Sequence, residues 1–422
     1  MKQYKTYKDS GVQWIGEIPS HWKAIRIKYI FKEVDEKNIN LEYTLLSFSR
    51  TKGIIPFNEL NEKEPSAADL SKYKIIRPNQ LLENRMQAWS GMFGCSKING
   101  CVSPDYSVFE PLNNNNTDYF ANLFRTPLLV QQFANASKGV GDGFNRLYTP
   151  QFGNIYAIVP PIHEQETIVA FLDEKTAEID DLVAQVEREI ELLKEYKQAE
   201  IARVVTKGLN PNAPMKPSGI SWIGDIPQHW EILRNKNLFE SHYEPVGNRK
   251  DVPLLSLTTD GVILRDVESG KGKFPKDFEK YNVVYPEQII FCLFDIDETP
   301  RTVGLNNNYG MITNAYDTFN INKSNVLPIF ITNYYLAVDN VKALRPHYTG
   351  LRKVVQYGKF MQLKVPIPPL AEQQEIVNYI DRKTTEINRL VEELTHQAEH
   401  LKEYKQRLIA DVVTGKINVQ PE

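Results

Sequence analysis

The chain has 422 residues, room for two to four domains of ordinary size. Its composition, 41% hydrophobic and 24% charged, is that of a globular protein, and no apolar run approaches the ~18 residues that span a bilayer. A net charge of −3 excludes a uniformly basic nucleic-acid coat but leaves room for local basic patches. The three cysteines form no disulfide framework, and the polar start Met1-Lys2-Gln3-Tyr4-Lys5 lacks the apolar stretch of a secretory signal, so a cytoplasmic setting is expected.

In chain order the elements fall into six segments, because one internal repeat organises everything. Residues 1–22 contain Ser10-Gly11-Val12-Gln13-Trp14-Ile15-Gly16-Glu17-Ile18-Pro19-Ser20-His21-Trp22. This returns 208 residues later as Ser218-Gly219-Ile220-Ser221-Trp222-Ile223-Gly224-Asp225-Ile226-Pro227-Gln228-His229-Trp230, with nine of thirteen positions identical. Residues 23–158 form a first globular domain. In it Thr44-Leu45-Leu46-Ser47-Phe48 reads as a strand, Asn113-Asn114-Asn115-Asn116 as a turn and Phe120-Ala121-Asn122-Leu123-Phe124 as a short helix. Trp89 in this domain is expected in the core.

Residues 159–209 read as one long helix. Ile168, Phe171, Leu172, Ile179, Leu182, Val186, Ile190, Leu193, Tyr196, Ile201 and Val204 recur at spacings dominated by three, four and seven. Pro160-Pro161 marks its start and Gly208 its stop. Residues 210–230 are a linker and the second copy of the repeated segment. Residues 231–364 form a second globular domain, with strands expected at Val252-Pro253-Leu254-Leu255-Ser256-Leu257 and Val283-Val284-Tyr285 and a helix at Tyr334-Tyr335-Leu336-Ala337-Val338. Residues 365–417 repeat the helix: Leu193-Lys194-Glu195-Tyr196-Lys197-Gln198 matches Leu401-Lys402-Glu403-Tyr404-Lys405-Gln406. Here Pro368-Pro369 is the start signal and Gly415 the stop.

The fold class expected is mixed α/β or α+β: two globular domains separated by two long helices that form an antiparallel coiled coil, with a pseudo-twofold internal repeat. Each helix spans ~66 Å at ~1.5 Å per residue. Between the repeated elements the halves share only scattered positions, such as Gly53 with Gly261, Tyr73 with Tyr281, Gln80 with Gln288 and Phe152 with Phe360. That is a frame kept alike under two surfaces allowed to differ.

Charge is segregated. Residues 23–158 carry +3 and residues 231–364 carry +2, whereas the helical segments 159–209 and 366–417 carry −6 and −2. A phosphate backbone would be repelled by the helices and tolerated by the domains. Sites for chemistry are not legible. There is no phosphate-loop pattern, and Gly139-Val140-Gly141-Asp142-Gly143 reads as a turn. Cys95 and Cys101 have no partner pair for zinc, and Asp295-Ile296-Asp297-Glu298 reads as an acidic loop. His21 and His229, at matched positions, suit structural hydrogen bonds. These readings leave a binding or assembly role, with a protein-only coiled-coil adaptor and a self-sufficient enzyme as rivals.

The repeated S-G-[VI]-x-W-I-G-[ED]-I-P-x-H-W segment, and P-P-[IL]-x-E-Q at residues 160–165 and 368–373 before a helix ending in Val-Val-Thr, resemble the specificity subunit of type I restriction–modification systems. The resemblance covers essentially the whole chain. It implies two target-recognition domains, each reading one half of a split site in double-stranded DNA, and a coiled coil whose length acts as a ruler. It also implies a chain with no catalytic residues, no metal and no cofactor of its own. Two modification (methyltransferase) subunits using S-adenosylmethionine, and restriction subunits using ATP and Mg, would be its partners.

On that reading the DNA candidates are polar and basic residues of the domains. In the first they are Arg50, Thr51, Lys52, Arg85, Lys97, Ser103, Tyr106, Lys138 and Arg146. In the second they are Thr258, Thr259, Arg301, Thr313, Tyr316, Tyr348, Arg352 and Lys353. For partner subunits the candidates are Tyr196, Lys197, Tyr404 and Lys405, with coiled-coil cohesion as the competing role. The segments holding Trp14, Trp22, Trp222 and Trp230 are expected to lock domain to helix.

Overall fold

The computed structural model describes residues 2–60, 69–139, 145–265 and 278–421. The chain divides into two compact units: Met1–Val186 with His396–Glu422, and Glu187–Thr395. Each is mixed α+β and each is built on the same plan.

In the first unit a four-stranded antiparallel sheet contains β1 (Phe31–Val34), β2 (Leu81–Asn84), β3 (Phe93–Cys95) and β4 (Tyr106–Pro111), in the order β1-β4-β2-β3. In the second, β5 (Phe239–Ser241), β6 (Ile289–Phe291), β7 (Val303–Leu305) and β8 (Asp317–Ile321) take the order β5-β8-β6-β7. The central strands are buried on both faces, so they lack the alternation that marks a half-exposed strand. The ends of each globular segment are tied together. Lys23–Arg26 pairs with Tyr156–Val159 in the first unit, and Glu231–Arg234 pairs with Lys364–Ile367 in the second. Each segment therefore leaves its frame and returns to it at one place.

Two helices far exceed ordinary length: Ile162–Lys207 with 46 residues and Leu370–Val413 with 44. The double proline before each supplies a fixed φ and removes a donor that has no partner in a first turn. Gln165 and Gln373 donate their backbone N–H groups to Pro161 and Pro369. Gly208 and Gly415 follow the helices with φ of +71° and +77°. A side chain at Gly415 would also meet Pro19 and Trp22.

Each unit buries one end of each long helix. The first core packs Phe31, Phe93, Phe124, Phe133 and Phe152 with Ile168 and Leu172 of the first helix and Leu408 and Val412 of the second. The second core packs Phe239, Phe291, Phe319 and Phe360 with Val204 and Val205 of the first helix and Ile376 and Ile380 of the second. The start of one helix is thus buried with the end of the other in both units, so the helices run antiparallel in each.

Several expectations shift. The strand expected at residues 44–48 is Leu46–Ser49, that at 252–257 is Leu255–Thr258, and that at 283–285 is Asn282–Val284. The short helices are longer than expected, Thr117–Phe124 and Pro328–Asn340. Trp89, expected in the core, is 42% exposed, because the one-turn helix Ala88–Ser90 turns Ala88 inward instead. Leu182, Tyr196, Leu390 and Tyr404 belong to the apolar stripes yet are exposed, so the buried seam is narrower than the stripe.

Candidate nucleic-acid interface

The joint between domain and helix is the same in both units and explains the repeated motif. Trp22 and Trp230 are fully buried. Trp22 Nε1 donates to Glu164 Oε2 at 3.0 Å, and Trp230 Nε1 donates to Glu372 Oε1 at 3.1 Å. The other carboxylate oxygen meets the preceding histidine, His21 or His229, at 2.6 Å in each unit. The next helix residue completes the joint. Gln165 Nε2 donates to Asn115 Oδ1 and Pro160 O, and Gln373 Nε2 donates to Asn325 O and Pro368 O. The E-Q of the repeated P-P-x-x-E-Q is therefore a clamp, a role the sequence displayed without revealing.

In the first unit the structure gathers most of the DNA candidates at one end of the sheet and the turns beside it. Arg50, Thr51 and Lys52 occupy the exposed turn between Leu46–Ser49 and Gly53–Pro56, where Ser49 Oγ accepts the Thr51 and Lys52 N–H groups. Arg50 Nη2 donates to Ser90 O at 2.6 Å, tying that turn to the one carrying the exposed Trp89. Arg85 donates to the carbonyls of Asp105 and Pro104, both at 2.8 Å. The Arg146 guanidinium lies 3.9 Å from the Asp105 carboxylate. Tyr106 closes the same turn, its N–H donating to Ser103 O, and burial raises its hydroxyl pKa. Lys138 pairs with Arg146 between two antiparallel strands of two residues each. Residues 140–143 of the glycine-rich segment lie outside the described residues. Lys97 is engaged differently, with Asp118 at 2.5 Å at the start of helix Thr117–Phe124.

In the second unit Thr258 and Thr259 take the equivalent turn, and Arg301 Nη2 donates to Thr259 O at 3.0 Å. Arginine again bridges the two turns, with donor and acceptor sides exchanged. Thr258, Thr313 and Tyr316 line a groove of about 500 Å³. Tyr316 stacks on Phe294, whose other neighbour is Arg352, 4.7 Å from the ring centre. Here, however, the basic residues are matched by acids. Arg352 pairs with Asp295 at 2.6 Å, Lys353 with Glu298 at 2.7 Å and Asp297 at 3.3 Å, and Arg345 with Asp297 at 3.1 Å. Tyr348 donates to Asp297, and burial with that carboxylate pushes its hydroxyl up to about 12. The residues 295–298 read as an acidic loop are the counter-charges of Arg345, Arg352 and Lys353.

The partner candidates sit on the long helices. Lys405 Nζ donates to Asp180, at 2.6 Å to the nearer oxygen, in the first unit, and Lys197 Nζ donates to Asn388 Oδ1 at 2.9 Å in the second. These are equivalent positions of the repeat, each bonding one long helix to the other. Tyr196 and Tyr404 are 51% and 46% exposed, and Leu182 and Leu390 are also exposed at equivalent positions. Each unit therefore offers a leucine and a tyrosine at equivalent positions to solvent from its helix pair, and the second unit exposes Leu192 and Leu370 as well. No helix among the described residues is long and apolar enough to cross a membrane.

A chain made of one α+β plan used twice, with a repeated joint and two unlike polar faces, belongs to the class of two-headed recognition scaffolds. A family model for the type I restriction modification DNA specificity domain matches residues 88–192 and 227–400, and the chain belongs to that family. Two curated relatives come from Methanocaldococcus jannaschii. One, described as a type I restriction enzyme MjaX specificity subunit, is 24% identical over 273 residues, 62% of this chain and 59% of the relative's length. The type I restriction enzyme MjaVIII specificity subunit is 22% identical over 439 residues, covering 96% of this chain and 94% of the relative. Among solved structures, the HsdS subunit from Thermoanaerobacter tengcongensis aligns with TM-score 0.55 and 14% identity, over 95% of this chain and 98% of that one. A chain from a structural study of complex assembly and conformational transition of the type I R-M system gives TM-score 0.67 at 13% identity, over 95% and 99%. These structures share the fold.

Proposed function

We propose that this chain is the DNA-reading subunit of a type I restriction–modification assembly, with each unit reading one half of a bipartite site in double-stranded DNA. The observation that carries this reading is the contrast between joint and face. The Trp–Glu–His joint repeats residue for residue, while the faces share an arginine bridge between turns and the tyrosines Tyr106 and Tyr316 but differ in the rest, with Arg85 and Arg146 in one unit and the acid-paired Arg352 and Lys353 in the other. A frame that repeats suits two copies of one partner, and faces that differ suit two unlike base sequences. The exposed Leu182–Tyr404 and Leu390–Tyr196 sets, with Lys197 and Lys405 beside them, are the places where two modification subunits would dock.

On this reading the chain itself is not catalytic and works in the cytoplasm. S-adenosylmethionine is bound by the modification subunits, and ATP and Mg by the restriction subunits. The helices fix the gap between half-sites. The test is a map of methylated adenines in DNA from cells carrying this chain with its methyltransferase subunit. The expected result is a split motif with a constant gap; absence of any motif dependent on this chain would overturn the proposal.

A further inference from the structure

The first unit contains a groove of about 480 Å³ walled by the Arg50–Thr51 turn, the loop at Arg125–Pro127 and the two long helices. Two arginines face it. Arg125 caps the C-terminal end of helix Thr117–Phe124, and its Nε donates to Phe93 O at 2.9 Å, which fixes the guanidinium and leaves its terminal nitrogens without an acceptor among the described residues. Arg50 is held by Ser90 through Nη2 alone. Among the described residues neither guanidinium has a carboxylate within ion-pair distance. The groove does contain two carboxylates, but Asp180 is bound by Lys405, and Asp173 makes no ion pair with either arginine. Arg125 is exposed, yet the walls crowd its guanidinium. Desolvation, and then the charge of Arg50, hold it below the usual arginine range. Like charges placed together with no carboxylate paired to either repel one another until an anion joins them.

The pair is not part of the repeated frame. The equivalent turn holds Thr258, and the position matching Arg125, counted from the Asn116 and Leu327 N–H groups that donate to Gln165 and Gln373, is Leu336. A partner that docks alike on both units cannot be what these arginines serve. A guanidinium pair with free terminal N–H groups matches the oxygens of a phosphate, and Arg50 lies on the turn that adjoins the polar face. Resting on the DNA-reading function proposed above, we infer that Arg125 and Arg50 together bind a backbone phosphodiester in the half-site read by the first unit, which makes Arg125 a DNA contact in its own right.

The test is the salt dependence of binding. The complex of this chain with its methyltransferase subunit is titrated with its cognate duplex over a fourfold range of NaCl, as wild type, Arg125→Gln, Arg50→Gln, the double variant and Arg125→Lys. Losing one phosphate contact lowers the slope of log affinity against log salt by about 1, and both arginines meet the same phosphodiester, so the double variant should lose about fourfold less affinity across the range than wild type, and each single Gln variant up to that amount. Arg125→Lys keeps the charge and should keep the slope, although it gives up the bond to Phe93. Slopes equal to wild type in the Gln variants would overturn the inference, as would an Arg125→Lys variant as impaired as Arg125→Gln, since that marks a purely structural role. A changed preference at one base pair with an unchanged slope would also overturn it, by making the contact a base contact. If the wild-type complex shows no sequence-specific binding at all, it is the proposed function that fails.

Discussion

The two units share a skeleton and differ in how they handle charge. In the first, Arg50, Lys52, Arg85 and Lys138 have no carboxylate within ion-pair distance among the described residues, and Arg146 approaches Asp105 only at 3.9 Å. In the second, Arg345, Arg352 and Lys353 are all neutralised by Asp295, Asp297 and Glu298. The helix pairs differ too. Tyr379 donates to Glu200 at 2.6 Å and Arg203 pairs with the same carboxylate at 2.7 Å; Arg203, then Tyr379, draws Glu200 down to about 2 despite partial desolvation. At the positions offset by 208 the first unit has Phe171, Leu408 and Asp411. Stability is thus secured by common means at the joint and by local means elsewhere. A duplex arriving at the second unit would have to exchange with carboxylates already in place, whereas the first presents bare cations.

The largest effect should fall on what the units share. Trp22→Ala and Trp230→Ala each empty a fully buried site and remove one donor from the carboxylate of the joint, which keeps its histidine. Each should cost about 3–5 kcal/mol, and by similar amounts. Amide hydrogen exchange resolved to each unit is the readout, since it reports local opening. A loss confined to one variant would break the claim of an equivalent frame.

A pH effect should come next, and it should separate the units. Glu83, on β2, is fully buried, and neither of its carboxyl oxygens, nor the hydroxyl of its cross-strand neighbour Ser107, has a hydrogen-bond partner among the described residues. Burial pushes Glu83 up to about 8, with Glu33 adding to the rise against Arg85 and Lys74. The folded state then holds a proton that the unfolded chain releases near its ordinary value of 4.5. The stability that Glu83 contributes to the first unit is therefore fully present below that value, and falls by up to about 1.4 kcal/mol per pH unit as pH climbs towards 8. Glu83→Gln should flatten this slope in hydrogen exchange or thermal melts; an unchanged slope would contradict it. The second unit has Phe291 at this position and Asp317 across from it, whose carboxyl is also raised by burial, so that unit should keep its own weaker slope in the same variant.

The smallest effect concerns the cross-helix bonds. Asp180→Asn turns the Lys405 pair into a copy of the Lys197–Asn388 contact. Asp180 is well exposed, so the change should cost no more than about 1 kcal/mol and should vanish at high salt. Urea melts in low and high NaCl would show it. A larger, salt-independent loss would mean that the pair is not a surface interaction.

How much of this could be read from the chain follows from sequence distance. The repeat, the long helices and their ends were legible because prolines, glycines and a helical spacing are local signals. The joint was half legible: His21, Trp22 and the E-Q pair were visible as a motif, but the bond from Trp22 to Glu164 spans 142 residues. The strands expected at 44–48, 252–257 and 283–285 lie a residue or more away, and the central strands Leu81–Asn84 and Ile289–Phe291, buried on both faces and so without alternation, were not expected. Trp89 was misassigned because size suggested burial, where the tight turn at Gly91 sends it outward. The neutralisation of Arg352 by Asp295, 57 residues away, carries no local sign, and no motif singles out Arg125.

The central claim is that one frame carries two interchangeable readers. The direct measurement replaces residues 23–158 with a second copy of residues 231–364 and selects bound duplexes from a random pool, with the methyltransferase subunit present and folding checked by circular dichroism. The account predicts an inverted repeat in which the half-site of the second unit appears twice at an unchanged gap. A folded chimera that still selects the original asymmetric site would contradict it.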